Sequence, residues 1–324
     1  MPSRRVVLAL ILAVAVAPDT WLHSSAPDGP PDWRIAVTPQ PFEPGRSGPF
    51  IVSGQWVLTG YDRRFGGLSA LVTLSDDAFL AASDTGRMAR FTVADDKVTE
   101  GFLDRPGGAE ARTKFGADIE ALTRDPESGT LWAAYEWGSR VVRFTPSLSP
   151  KASIVPPQMA QWLDNSGPES FVRLSDGRFL AIQETARVED DTRHRAVLFD
   201  TDPIEIPTGR SFLIARTGDY RIVDAAMLDE DRVLLLLRRF EFNPWPTFDT
   251  AIASFRISDI ESDAIIAPRM LAEFGDAIFR ENYEGLAITR TDRGTALWLI
   301  SDDNFAAFQS TTLLRLEYSD ATTR

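Results

Sequence analysis

Five copies of one strand-rich layout predict an all-β fold, a β-propeller with one blade per repeat. Each copy has a short turn, an apolar strand, a turn of "SD", "DP" or "DED" type, a second strand, a polar corner and a third strand. Equivalent positions in successive copies lie 51, 49, 55 and 60 residues apart. Short strands with turn signals at such a period are typical of propeller blades. Five blades is the direct count. Six stays open if residues 33–52, 188–220 or 241–282 contain extra strands, and a β-sandwich of tandem domains is the other all-β alternative.

The elements of each blade can be assigned in chain order. The first three strands of the five repeats lie within 66–93, 118–146, 167–187 completed by 194–200, 220–240 completed by 250–257, and 282–305 completed by 311–319. Fourth strands are predicted at 97–103, 151–155, 211–217 and 269–274. The last repeat ends with three strands, so we expect "GQWVLTG" (54–60) to supply its fourth strand and close the ring.

Composition agrees with an ordered domain and excludes several kinds of chemistry. The 324 residues are 44% hydrophobic and 25% charged, which allows a substantial core. The formal net charge of −13 disfavours nucleic acid and anionic membrane as partners. There is no cysteine, which excludes disulfides, thiolate catalysis and cysteine-based metal sites.

The N-terminus has the pattern of an export signal. Arg4 and Arg5 precede an apolar stretch at 6–17 that is too short to span a bilayer comfortably and ends in small residues. Pro18 disfavours cleavage directly after this stretch, so the cleavage site and retention as an N-terminal anchor stay open, as does a twin-arginine route. We therefore predict a signal peptide at 1–17, a linker and extension at 18–48, a propeller at 49–320, and a periplasmic or secreted protein.

Acidic residues recur at one place in the repeat. The positions that begin strand one are Ser69, Glu120, Glu169, Asp224 and Glu284, and the acids that end strand two are Asp84, Glu136, Glu184 and Asp302. The fourth repeat instead has Leu237, Arg238 and Arg239 at the end of strand two. Strands one and two are antiparallel, so both places lie on the same face of a propeller. The pattern predicts that eight carboxylates gather at one channel mouth, although structural hydrogen bonding is the alternative for each.

Such a cluster indicates a cation site. Like charges in a confined space raise one another's pKa unless a cation or an arginine neutralises them. Oxygen ligands without cysteine suit a hard cation, and Ca²⁺ fits best, with Asp84, Glu120, Glu136, Glu169, Glu184, Asp224, Glu284 and Asp302 as candidate ligands. Arginines also follow the strand-two corner, namely Arg87, Arg140, Arg187, Arg238 and Arg239. They can hold an anionic substrate group or pair with the neighbouring acids.

Read in order, "GGLSAL", "DIEAL", "GPESF", "NYEGLAI" and "LWLISDDNF" resemble the bacterial family named for "esterase-like activity of phytase". The resemblance covers about residues 54–318. The family's pattern falls here on Ser69, Asp84, Glu120, Glu169, Arg238, Arg239, Glu284 and Asp302 to Asn304. Ala121 and Ser170 replace usual glycines, and Leu237 replaces a usual acid, whose loss weakens a metal site. The resemblance implies an exported phosphoester or ester hydrolase.

Two classes of function follow. In the first, Ca²⁺ polarises an ester or phosphoester, Glu120 or Glu284 activates water, and the arginines together with Ser69 bind a small anionic ester substrate. In the second, a non-catalytic propeller of the cell envelope binds a ligand or partner, and the acids hold a structural ion.

Overall fold

The computed structural model describes residues 32–93, 98–103, 106, 114–162, 167–184, 192–242, 246–260, 265–275, 277–292, 294–306 and 309–319. These residues form largely antiparallel β-sheets, with one four-residue helix, α1 (Lys114–Ala117), and a few 3₁₀ turns. No helix in this part of the chain is long and apolar enough to cross a membrane. The predicted signal at 1–17 lies outside the described residues.

Five sheets make five blades, and each inner strand contacts the inner strand of the next blade until the ring closes. Three strands precede the first blade: β1 (Arg34–Pro39), β2 (Arg46–Ser47) and β3 (Phe50–Gly60). Blade one contains β4 (Leu68–Thr73), β5 (Ala78–Ser83), β6 (Met88–Thr92) and β8 (Phe102–Leu103), with β7 (Val98–Glu100) between the last two in the chain. Blade two contains β9 (Ile119–Arg124), β10 (Leu131–Tyr135), β11 (Arg140–Phe144) and β12 (Pro150–Ile154).

The remaining blades have the same order. Blade three contains β13 (Pro168–Arg173), β14 (Phe179–Gln183), β15 (Arg193–Phe199) and β16 (Arg210–Ala215). Blade four contains β17 (Arg221–Met227), β18 (Arg232–Phe242), β19 (Pro246–Arg256) and β21 (Arg269–Phe274), while the short β20 (Ile265–Ile266) pairs with β16 of blade three. Blade five contains β22 (Tyr283–Thr291), β23 (Gly294–Ser301) and β24 (Thr311–Tyr318).

The ring is closed by a strand from the start of the domain. Strand β3 pairs with β24 as the fourth strand of blade five, with Trp56 opposite Leu313, which confirms the closure predicted for 54–60. Strand β1, in the segment predicted as an extension, adds to the outer edge of β3 and also pairs with β7. The extra strands at 34–47 therefore enlarge blade five and do not build a sixth blade.

Apolar side chains from facing blades form the core. The Trp298 ring lies 4.7 Å from Phe79 of blade one, and the Trp132 ring lies 5.0 Å from Phe179 of blade three. Both tryptophans are buried. Large aromatic residues at the blade interfaces bury the faces that a single four-stranded sheet leaves exposed.

A β-bulge interrupts strand one of every blade. The pairing with strand two skips one residue in each, and the skipped residues are Ser69, Glu120, Glu169, Val223 and Glu284. A bulge re-aims the extra side chain, and a shift of one residue moves a side chain to the other face of the sheet. In blade four the bulge falls on Val223, so the sequence alignment that placed Asp224 there is wrong by one residue.

Candidate functional site

The start of strand one and the end of strand two meet on one face of the propeller. The backbone amide at the end of strand two donates to a carbonyl just before strand one: Asp84 to Gly67, Glu136 to Asp118, Glu184 to Gly167, and Asp302 to Asn282, at 3.0, 3.0, 3.4 and 2.9 Å. In blade four the register places Arg238 opposite Arg221. The four hydrogen bonds and the register in blade four identify equivalent positions across the five blades.

Three sets of positions, one residue from each blade, therefore surround the channel mouth. The entry positions, two residues before the bulge, are Gly67, Asp118, Gly167, Arg221 and Asn282. The bulge positions are Ser69, Glu120, Glu169, Val223 and Glu284. The corner positions are Asp84, Glu136, Glu184 and Asp302, which directly follow strand two, and Arg238, which lies within β18. Blade two carries an acid in all three sets, whereas blade four carries arginine in two and no acid.

The three acids of blade two form a compact group. Asp118, Glu120 and Glu136 each offer a carboxylate oxygen, and these oxygens all lie within 4.8 Å of one another. Asp118 is buried, and the other two are half-buried. Desolvation in the channel raises the pKa of Glu120 well above its ordinary value, and the carboxylates of Glu169 and Asp118 raise it further. A cation placed among these oxygens would favour their ionised forms.

Glu169 of blade three faces the same space. Desolvation raises the pKa of its carboxyl well above the ordinary value, with further contributions from Glu184 and Glu284, and the guanidinium of Arg238 opposes the rise. Since the carboxylate of Glu169 is the nearby charge that most strongly raises the pKa of Glu120, the bulge acids of blades two and three lie close together.

Blade four supplies the positive charge of the site. Arg238 donates hydrogen bonds to Glu284 and, at 2.6 Å, to the Oδ1 of Asn282, whose Nδ2 in turn donates to Glu284 at 3.0 Å. Burial lowers the pKa of Arg238, but the carboxylates of Glu284 and Glu169 outweigh that effect and raise it above its ordinary value. On the other side, Arg221 contacts Glu184 at 3.3 Å. The arginines of blade four therefore bind acids of both neighbouring blades.

Blades five and one contribute a second acidic corner. Burial, followed by the charges of Glu284, Asp84 and Asp303, raises the pKa of Asp302 to about 8. Asp302 Oδ1 accepts a hydrogen bond from the backbone amide of Asn304 at 2.6 Å. Asp303 accepts from the amide of Gly67 at 2.9 Å, which ties this corner to the entry position of blade one.

Two predicted site residues link neighbouring blades. The carboxylate of Asp224 accepts hydrogen bonds from the backbone amides of Leu286, at 2.6 Å, and Ala225, at 2.7 Å, so each of its oxygens has a backbone donor. Burial raises the pKa of Asp224, and these two hydrogen bonds oppose the rise. Ser69 Oγ donates to the carbonyl of Ile119 at 2.5 Å. Asp224 thus joins blade four to blade five, and Ser69 joins blade one to blade two.

The other predicted arginines make contacts within or beside their own blades. Arg87 donates to Thr85 Oγ1 at 3.1 Å, and Arg140 donates to the carbonyl of Gly116 at 3.2 Å. Arg239 lies on the opposite face of β18 from Arg238 and donates to Asp249 Oδ2 at 2.6 Å. Alternation along a strand separates the two adjacent arginines. Arg187 lies outside the described residues.

The sequence interpretation missed the entry positions as a set. Asp118, Arg221 and Asn282 contact or face the channel acids, and none was chosen as a site residue. Asp118 and Asn282 stand two residues before an acid in "DIEAL" and "NYEGL", so the repeat alignment contained the signal. Arg221 was missed because the sequence alignment of repeat four was wrong by one residue.

A family model described as "Phytase-like: Esterase-like activity of phytase" matches residues 63–305. The chain belongs to this family. The matched segment runs from just before β4 to the loop after β23, and it includes all three sets of channel positions. The phytase-like propeller therefore carries its channel mouth within the part of the chain that defines the family.

Comparison with other proteins adds no residue roles to this phytase-like chain. No curated protein matches it. A solved structure titled "Structure of U3-55K" is 8% identical with a TM-score of 0.43, over 89% of this chain and 100% of that chain. "Crystal structure of RRP9 WD40 repeats" is also 8% identical with a TM-score of 0.43, over 81% and 97% of the two chains.

Proposed function

We propose that this protein is an exported, Ca²⁺-dependent hydrolase of ester or phosphoester bonds that acts at the acidic channel mouth. The observation that carries the proposal is the group of Asp118, Glu120 and Glu136, within a chain of the phytase-like family. We expect a small anionic ester as substrate, and neither nucleic acid nor, beyond the export signal or an N-terminal anchor, membrane as a partner.

The donor set fits Ca²⁺. Oxygens bound to the same Ca²⁺ lie at about 2.3–2.6 Å from the ion, and hence at most about 5 Å from one another. The carboxylate oxygens of Asp118, Glu120 and Glu136 are within 4.8 Å of one another, which meets this limit. Carboxylates can bind in a bidentate manner, and water can complete the six to eight ligands that Ca²⁺ takes.

A bound Ca²⁺ would polarise the phosphoryl or acyl oxygen of the substrate. In our proposal Arg238 binds the anionic group of the substrate and holds Glu284, which accepts the proton of the attacking water. The carboxyl of Glu169 has a pKa raised by desolvation and by Glu184, so it can carry the proton that the leaving oxygen takes. The acids of blade two and the arginines of blade four would thus act from different sides of one substrate.

The first test is a thermal melt with and without Ca²⁺. An ion that binds only the folded protein stabilises it by about 2.7 kcal/mol at a hundredfold excess over Kd. We expect millimolar Ca²⁺ to raise Tm by several degrees over chelated protein, and Mg²⁺ to raise it less. Glu120→Gln should lose most of this shift, whereas Glu317→Gln, an exposed carboxylate on β24, should keep it. Equal melts with and without Ca²⁺ would refute the metal site.

The second test is hydrolysis of phosphate and carboxylate esters with Ca²⁺ or chelator. Glu284→Gln should lower kcat by about a hundredfold or more, because general-base catalysis contributes about 10²–10⁴ in rate. If Ca²⁺ stabilises the protein but no ester is hydrolysed, the alternative function is favoured, in which a non-catalytic propeller binds a ligand or partner and the acids hold a structural ion.

Export is a separate part of the proposal. Arg4, Arg5 and the apolar stretch at 6–17 support it, together with the family resemblance. N-terminal sequencing of the protein from a periplasmic or culture fraction will find the mature start, and recovery of the unprocessed chain in the cytoplasm would reject export.

A further inference from the structure

Three arginines line the opposite end of the central channel. The inner strands begin at the acidic mouth and end at a cavity of about 510 Å³ that residues from all five blades line. Arg124 ends β9, Arg173 ends β13, and Arg290 lies one residue before the end of β22, and all three line this cavity. A protein of formal net charge −13 thus places three arginines around one opening.

These guanidinium groups are only weakly compensated. Arg124 makes no ion pair within the part of the chain that the structure describes. Arg173 lies 3.7 Å from Asp125, whose carboxylate also accepts from Ser128 Oγ at 2.7 Å. Arg290 donates to the carbonyl of Met227 at 2.5 Å. Burial lowers the pKa of Arg290 even though Asp229 opposes the change, as expected for a cation without enough negative charge nearby.

The acids at this opening have other partners or face solvent. Asp229 and Glu230 also line the cavity. Asp229 pairs with Arg232 at 2.5 Å and accepts the backbone amides of Asp231 and Arg232. Glu230 is exposed. Neither neutralises the three arginines.

The inner wall of the cavity is apolar. Leu71, Leu122, Val172 and Leu286 come from four different blades, and each is buried. Small-molecule sites have volumes of about 300–1,000 Å³, with apolar walls and a few charged groups that fix orientation. This cavity has both properties.

We propose that this cavity binds a small organic anion, with its acid group on Arg124, Arg173 and Arg290 and its apolar body against Leu71, Leu122 and Leu286. Guanidinium groups bind carboxylates and phosphates through paired hydrogen bonds, and the apolar wall selects an anion with a hydrocarbon part. This site is separate from the acidic mouth and does not depend on hydrolysis.

Calorimetric titration of the full chain, stripped of divalent cations, tests the site with octanoate, octanol and inorganic phosphate as probes. Octanoate should bind saturably, and both octanol, which lacks the charge, and phosphate, which lacks the apolar body, should bind at least about tenfold more weakly. Equal binding of octanol would reject recognition of the charge, and equal binding of phosphate would reject the role of the wall.

Variants locate the site. Arg124→Gln with Arg173→Gln should weaken octanoate binding by about tenfold or more, since charge-assisted hydrogen bonds are lost. Arg178→Gln, which removes an arginine paired with Asp176 outside the cavity, is the matched control and should leave binding unchanged. Ala226→Phe narrows the cavity without changing its charge and should also block binding. Binding that survives both the double change and Ala226→Phe, or that is lost in Glu120→Gln at the other mouth, would overturn the proposal.

Discussion

Replacement of Arg238 by glutamine removes the central positive charge of the acidic mouth. Arg238 contacts Glu284 and Asn282, and only 21% of its side chain and 18% of the Glu284 side chain are exposed. Removing one partner of a buried ion pair costs about 3–5 kcal/mol, because the remaining charge has no partner. For a protein of this size that loss lowers Tm by on the order of 10 °C.

The loss should depend on pH. The carboxylate of Glu169 acts on Arg238, and its pKa is raised, so Glu169 binds a proton as the pH falls and the negative charge that faces position 238 decreases. Arg238→Gln should therefore cost clearly less stability at pH 5 than at pH 8, measured by urea unfolding in chelator.

Arg221→Gln is the matched control. It removes an arginine from the same blade, but 42% of the Arg221 side chain is exposed and its contact with Glu184 is longer, at 3.3 Å. Such a pair is worth about 0–1 kcal/mol. An Arg238→Gln loss no larger than that of Arg221→Gln, or equal at both pH values, would refute the assignment of Arg238 as the counter-ion of the acidic mouth.

Three further predictions follow from the same contacts. The pKa of Asp302 is about 8 in the folded protein, against an ordinary value of 3.8, so the stability that its protonated form contributes is complete at low pH and is lost between about pH 4 and pH 8. Chelated wild-type protein should therefore be less stable to urea at pH 8 than at pH 5. Asp302→Asn should reduce that difference. An unchanged pH dependence in Asp302→Asn would reject the shift. Asp224→Ala removes the acceptor of the backbone amides of Leu286 and Ala225, and it should lower the free energy of unfolding in urea by about 2–4 kcal/mol. Ca²⁺ affinity should stay unchanged. A loss of Ca²⁺ affinity as large as that of Glu120→Gln would contradict the role of Asp224 as a link between blades. Ca²⁺ affinity should rise with pH, because the pKa of Glu120 is raised and the ion must displace its proton, and calorimetry in buffers of different ionisation enthalpy should detect the release.

The sequence determined the architecture because the information was local and repeated. Strand length, turn residues and period recur in every blade, and each is a short-range property of the chain. The closing strand could also be predicted from the sequence, since the last repeat lacked a fourth strand and "GQWVLTG", which precedes the first repeat, had not been assigned to a blade. The recurrence of Glu120, Glu169 and Glu284 at one phase of the repeat followed from the same periodicity.

Tertiary structure alone decided which of these residues share the channel. A bulge moves the alignment of strand one by one residue, and in blade four it selects Val223 in place of Asp224. Only the three-dimensional pairing shows that Arg221 and Arg238 reach acids of blades three and five, while Arg239, the next residue, binds Asp249 on the other face. The grouping of Asp118 with Glu120 and Glu136, and the arginines at the far end of the channel, likewise depend on contacts between strands. Periodicity in sequence fixes the phase of a residue within its blade, but the direction of its side chain depends on bulges and on neighbours that come from elsewhere in the chain.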